Sequence, residues 1–174
     1  MKFFSANLDN LRKLYIDQLE HLYSAETQIT EALPKMVEKA TEPTLKQALQ
    51  THLRETYVHV SRLQEVLRQA SGQIDSKKSK GIAALITEGQ DVIKDSTDES
   101  VRDAGIIAAA QKVEHYEIAA YGTVRTYAEI LGETTQATLL EQTLSEEKHA
   151  DAVLTNISDS ANQKAEKAES AARA

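Results

Sequence analysis

In four long segments of this chain, apolar residues recur every three or four positions, and near the middle of each a carboxylate interrupts the apolar stripe. Steps of three and four keep residues on one face of an α-helix, which turns once in about 3.6 residues. Each stripe must be buried against another, so four of them confine the chain to a small set of helix bundles. Little in the sequence opposes helix: 174 residues hold 2 prolines and 6 glycines, and 5% are aromatic. No long stretch alternates with period two. An all-α fold is expected.

The first long helix is expected from about Asp9 to Ala40, with Pro34 inside it as a kink or reset point. The second starts near Pro43, a favoured first-turn residue behind Thr41 or Glu42, and runs to Ser71-Gly72. Gln73 to Lys80 reads as a polar loop, Ile82 to Lys94 as a short helix, and Ser96-Thr97-Asp98 as a loop ending in an N-cap. The third long helix, Glu99 to Leu131, stops at Gly132, and the fourth runs from Thr134 past Ile157. Short links make the members of each pair antiparallel. The long link between the pairs can cross the length of the bundle, which is the ferritin-like connection. The bundle domain is taken as residues 1–162. Residues 163–174 are a polar tail rich in Ala, Lys and Glu, either a fraying helix or a disordered segment.

The net charge of −7 argues against nucleic acid and against an anionic membrane surface. Apolar runs such as Gly105 to Ala110 fall far short of a membrane span. The start, Met1-Lys2-Phe3-Phe4, turns polar at once and has no secretory leader pattern. With no cysteine, disulfides, iron–sulfur clusters and thiolate ligands are ruled out. A cytoplasmic protein is expected.

The chemistry lies in the interrupted stripes. Leu19, Leu22, Glu26, Ile29 and Leu33 share a face of the first helix, and Leu45, Ala48, His52, Glu55, His59 and Arg62 share one of the second. The third carries Ile107, Ala110, Glu114, Glu117, Tyr121 and Val124, and the fourth Leu139, Gln142, Glu146, His149, Val153 and Ile157. An ionised carboxylate buried without a partner costs several kcal/mol. Two divalent cations would neutralise four of them, and carboxylate with imidazole is a ligand set for iron or manganese. Bundle di-metal sites take one Glu from each of two helices and Glu-x-x-His from each of the others. Glu146-Glu147-Lys148-His149 fits that pattern. In the second helix Glu55 and His59 are four apart, with Thr56 at the expected place; four apart still leaves both on one face, and a π-bulge between them could also restore the register. The metal candidates are therefore Glu26, Glu55, His59, Glu114, Glu117, Glu146 and His149. His52 reads as the cap of a core hydrogen-bond network, and Tyr116 and Tyr121 as core tyrosines. Arg62 and Arg125 offer the competing explanation, buried Glu–Arg pairs without metal.

Three stretches, Tyr23-Ser24-Ala25-Glu26, His52-Leu53-x-Glu55-Thr56 with His59-Val60, and the run from Ala109 through Glu114-His115-Tyr116-Glu117 to Tyr121-Gly122, resemble the YciE/YciF family over residues 8–160. The resemblance implies a ferritin-like bacterial protein tied to stress responses, often dimeric and commonly assigned ferroxidase chemistry. By it Glu26, Glu55, Glu114 and Glu146 are the leading ligands, with His59 and His149 auxiliary.

Two functions stay open. One is a di-iron carboxylate protein that oxidises Fe(II) or consumes peroxide, with metal ions and a small oxidant as partners and a homodimer as assembly. The other is a non-catalytic helical stress protein acting through dimerisation or partner binding. Cage-type storage is disfavoured because no apolar fifth helix follows the fourth. DNA protection is disfavoured because no terminus is strongly basic.

Overall fold

Local capping chemistry sets the helix boundaries. The computed structural model describes residues 7–172, with side chains as far as Ala168. It contains, in order, α1 (Leu11–Lys39), α2 (Pro43–Ser71), α3 (Lys80–Asp95), α4 (Glu99–Ile130) and α5 (Thr134–Ala172). Asn10 caps α1 by accepting from Lys13 N at 2.9 Å, and Asp98 caps α4 by accepting from Ser100 N and Val101 N. Gly72 and Gly132 end α2 and α4 with φ of 78° and 76°, a conformation that favours glycine. Helix α1 continues through Pro34 to Lys39 rather than resetting there.

The start of α2 is capped from another helix. Glu42 occupies the cap position but makes no side-chain cap bond. Instead the buried Asp103 of α4 accepts from Thr41 N at 2.9 Å, Thr41 Oγ1 at 2.6 Å and Glu42 N at 2.7 Å. This ties the α1–α2 turn to the first turns of α4.

The four long helices form a ring in which α1 packs on α2, α2 on α5, α5 on α4 and α4 on α1. The link carrying α3 runs alongside α1. Lys77 N bonds Glu20 O, Ser79 N bonds Ser24 Oγ, and Gly89 abuts Met36 further along. Helix α3 then lies on α4, where a side chain at Gly105 would collide with Val92. Gly105 is thus the expected site of close packing, whereas Gly122 faces open space and has no such role.

The core is divided. Tyr15, Leu19, Leu22, Leu63, Val124 and Leu144 belong to one apolar cluster, and Ile29, Leu33, Leu45, Leu49, Ile107 and Leu154 to another. Between them along the bundle comes a buried polar layer, Glu26, His52, Thr56, His59, Glu114, Glu117 and Glu147.

Helix α5 continues beyond residue 162 to Ala172, and Lys164 pairs with Glu42. The expectations that concern residues 1–6 and 173–174 lie outside the described residues. Among the described residues no helix is long and apolar enough to cross a membrane.

Candidate metal centre

Each long helix of the ring sends at least one ionisable side chain into the layer. On α1, Leu19, Leu22, Glu26, Ile29 and Leu33 are all buried, as their spacing predicts, and Glu26 is 0% exposed. On α4, the same stripe that buries Ile107 and Val124 buries Glu114 and Glu117. On α2 the buried line is Leu45, Leu49, His52, Thr56, His59, Leu63 and Val66. Thr56 therefore faces inward, its hydroxyl donating to His52 O at 2.8 Å, and Glu55 sits half-buried at the margin. The α2 backbone is α-helical throughout, with no π-bulge. On α5 the inward residues are Leu140, Thr143, Leu144, Glu147 and Leu154. Glu147 is 0% exposed, Glu146 stands at the edge, and His149 is exposed.

Of the seven residues put forward from the sequence, the fold brings together Glu26, His59, Glu114 and Glu117, and adds Glu147 and His52. Glu55, Glu146 and His149 lie outside these groups. One group is His52, Glu114, Glu117 and Glu147, and the other is Glu26, His59 and Glu147. Within each, one ligand atom per residue lies within 4.8 Å of the others. Atoms bound to one ion at about 2.0–2.2 Å stand at most about 4.4 Å apart, so a small contraction would suffice. Glu147 belongs to both groups, the position of a bridging carboxylate.

The contacts leave donors and acceptors waiting. His59 Nε2 lies 2.9 Å from Glu146 Oε2, and its Nδ1 lies 2.9 Å from Glu147 Oε1 and 3.5 Å from Glu26 Oε1. His52 Nε2 stands 3.3 Å from Glu114 Oε1, but neither of its ring nitrogens makes a hydrogen bond. This differs from the hydrogen-bond cap expected of His52. Tyr121 donates its hydroxyl proton to Glu26 Oε1. Apart from the facing pair His59 Nδ1 and Glu147 Oε1, seven buried side-chain polar atoms of Glu26, His52, Glu114, Glu117 and Glu147 lack a hydrogen-bond partner among the described residues. Buried polar groups are ordinarily paired, so this concentration marks a site built for something else.

Arginine does not fill that role. Arg62 pairs with Glu146 at the edge, with a second contact of 3.0 Å, and Arg125 pairs with Glu129 and Glu141. Among the described residues, the ion-pair partners of Glu26, Glu114 and Glu147 are the histidines His52 and His59. Burial, with the Glu147 charge beside them, drives the Glu114 and Glu117 carboxyls well above the usual carboxylate range. Burial raises Glu26 as well, against the opposing pull of His59. His52 is lowered by burial to about 4. His59 feels the same burial, but the Glu147 and Glu26 carboxylates outweigh it and raise it to about 11. Arg62 holds Glu146 below the ordinary range. Four fully buried carboxylates thus face one imidazolium, a charge deficit that protons or metal cations can make up. The donor set fits divalent cations: oxygen with nitrogen, no sulfur and no arginine or lysine partner, gathered in two groups of close ligand atoms.

A ring of four helices with one long crossover, enclosing a carboxylate and imidazole layer at mid-height, is the ferritin-like class of fold, and its buried groups can hold metal ions. The chain belongs to the family described as "Domain of unknown function (DUF892)", whose profile matches residues 10–167. It is 43% identical over 162 residues to Protein YciF of Escherichia coli (strain K12), covering 92% of this chain and 98% of that protein. The crystal structure of the E. coli stress protein YciF superposes with a TM-score of 0.86 at 41% identity, over 90% of this chain and 99% of that one. YcfI from Rhodopseudomonas palustris gives a TM-score of 0.85 at 40% identity, over 88% and 98%. A Xanthomonas campestris protein, 20% identical with a TM-score of 0.74 over 92% of this chain and 99% of that one, shares the fold.

Proposed function

We propose that this chain is a cytoplasmic di-metal carboxylate protein that takes up two Fe(II) ions, with manganese as the other suited cation, and oxidises Fe(II) with dioxygen or peroxide. The unsatisfied polar atoms concentrated in one buried layer carry this reading. Glu147, common to both groups, would bridge. Glu26 and His59 would hold one cation, and His52, Glu114 and Glu117 the other. A cation would displace the Nδ1 proton that His59 now directs at Glu147, while the Nε2 proton donated to Glu146 would fix the ligand tautomer, the usual role of an outer carboxylate. Tyr121 fixes Glu26 in the same way. Bound iron would supply Lewis acidity and one electron per ion. With hydrogen peroxide as oxidant, two Fe(II) give up one electron each, the O–O bond breaks, and two protons complete two waters.

Anaerobic Fe(II) titration followed by oxygen or peroxide tests it. Uptake near two ions per chain, then loss of chelatable Fe(II), is expected. Uptake no greater than adventitious binding overturns it and leaves the non-catalytic alternative. We also propose a homodimer, which the family resemblance and the frequency of two-fold assemblies support. Light scattering should give twice the 19.2 kDa chain mass.

A further inference from the structure

Between α2 and α5, toward the α1–α2 turn, the helices leave a cavity of about 570 Å³. That volume lies within the roughly 300–1,000 Å³ typical of small-molecule sites. Ala48, Leu49, Val153, Leu154 and Ile157 form its apolar walls, and Glu55 and His149 also line it. At its inner end stand His52 and Glu114, their side chains 8% and 3% exposed. Both ring nitrogens of His52 and Oε2 of Glu114 lack hydrogen-bond partners. The groove therefore joins apolar walls to unsatisfied polar atoms of the metal layer.

The chemistry of this groove restricts its occupant. Apolar walls gain from burying a hydrocarbon body, at about 25 cal/mol per Å². The carboxylates of Glu55 and Glu114 disfavour an anionic head, whereas an uncharged O–H can donate to Glu114 and its oxygen can accept from the ring N–H of His52. Neither dioxygen nor hydrogen peroxide has a hydrocarbon body to place there. An alcohol would fit but cannot oxidise Fe(II).

We propose, resting on the di-metal reading above, that this groove takes the hydrocarbon body of an organic hydroperoxide and delivers its O–O–H head to His52 and Glu114. Fe(II) is the reducing co-substrate. The O–O bond of R–O–O–H breaks, two Fe(II) are oxidised to two Fe(III), and the two electrons with two protons yield R–OH and water.

Calorimetric titration of the full chain with 1-octanol, a redox-inert mimic with the same kind of head, tests binding apart from turnover. Octanoate is the anionic counterpart. Octanol is expected to bind at least tenfold more tightly than octanoate. Ala48→Trp and Val153→Trp, on opposite walls, should each weaken octanol binding at least tenfold in variants whose circular dichroism matches wild type. In iron-loaded protein the ratio of cumene hydroperoxide to hydrogen peroxide consumption should fall by a similar factor. No octanol binding to wild type, tighter binding of octanoate, or undiminished binding in a folded variant overturns the inference. The octanol and octanoate comparison in wild type decides the matter even if neither variant folds. A Co(II) titration separates the two failures. A wild-type chain that takes up no Co(II) sinks the di-metal reading, whereas one that takes up two ions and ignores octanol sinks only the groove inference.

Discussion

Glu147 is the one side chain shared by both candidate ion positions, and no direction around it is solvent. Glu147→Gln keeps the shape and removes the charge, so Co(II) uptake should drop from two ions per chain to at most one, with at least tenfold weaker affinity. His149→Ala, at an exposed position outside both groups, should leave the stoichiometry at two. Isothermal titration with Co(II) reads both. The same residues set a pH dependence for the metal-free chain. His59 is raised in the folded state from 6.5 to about 11. Its contribution to stability is therefore complete below 6.5 and is lost as pH rises toward 11. Glu26, Glu114 and Glu117, also raised, likewise favour the folded state at lower pH. His52, lowered to about 4, opposes them only between about 4 and 6.5. From about pH 7 to about pH 9 the Tm of metal-free protein should fall steadily. A rise over that interval would contradict the protonation scheme.

At the scale of elements, the cap that α4 lends to α2 is a specific dependency. Asp103→Ala strands Thr41 N and Glu42 N, and should cost roughly 1–3 kcal/mol. At about 2–4 °C per kcal/mol for a chain of this length, calorimetry would register a clear drop in Tm. The sequence made the helix ends legible because Pro43, Gly72, Asp98 and Gly132 act through neighbours in the chain. It could not disclose Asp103, whose partners are about sixty positions away. The inward faces of α1 and α4 were legible too, since Glu26, Glu114 and Glu117 lie among large apolar residues at one spacing. On α5 two rival stripes exist one residue apart. The stripe through Leu139, Glu146, His149 and Val153 matched a known motif, but the larger buried side chains follow Leu140, Leu144, Glu147 and Leu154. One residue is a rotation of about 100°, enough to exchange Glu146 for Glu147. The shared helix face of Leu140, Leu144 and Leu154 was the available signal. On α2 the same weighing of Leu49, Leu63 and Val66 turns Thr56 inward and leaves Glu55 at the margin. His52 is a different case, because only the absence of any partner within reach separates a ligand from a capped core histidine.

For the whole molecule, cation binding should act as folding energy, because the unfolded chain cannot assemble ligands from four helices. Co(II) at about one hundred times its dissociation constant should add about 2.7 kcal/mol to stability and release protons from Glu114 and Glu117, both of which an unbuffered titration with thermal melts would detect. The division of the interior into two apolar clusters with ionisable groups between them gives this an added consequence. Without cations, the waist holds protonated carboxyls and unsatisfied polar atoms in place of bonds between the helices, and this weakens the communication between the two ends of the molecule. Melting should then broaden, with the calorimetric enthalpy exceeding the van't Hoff value, and amide exchange should fall into two blocks, one around Tyr15 and Leu144 and one around Leu33 and Leu154. Metal would act as a rivet, and with it in place the two blocks should open as one.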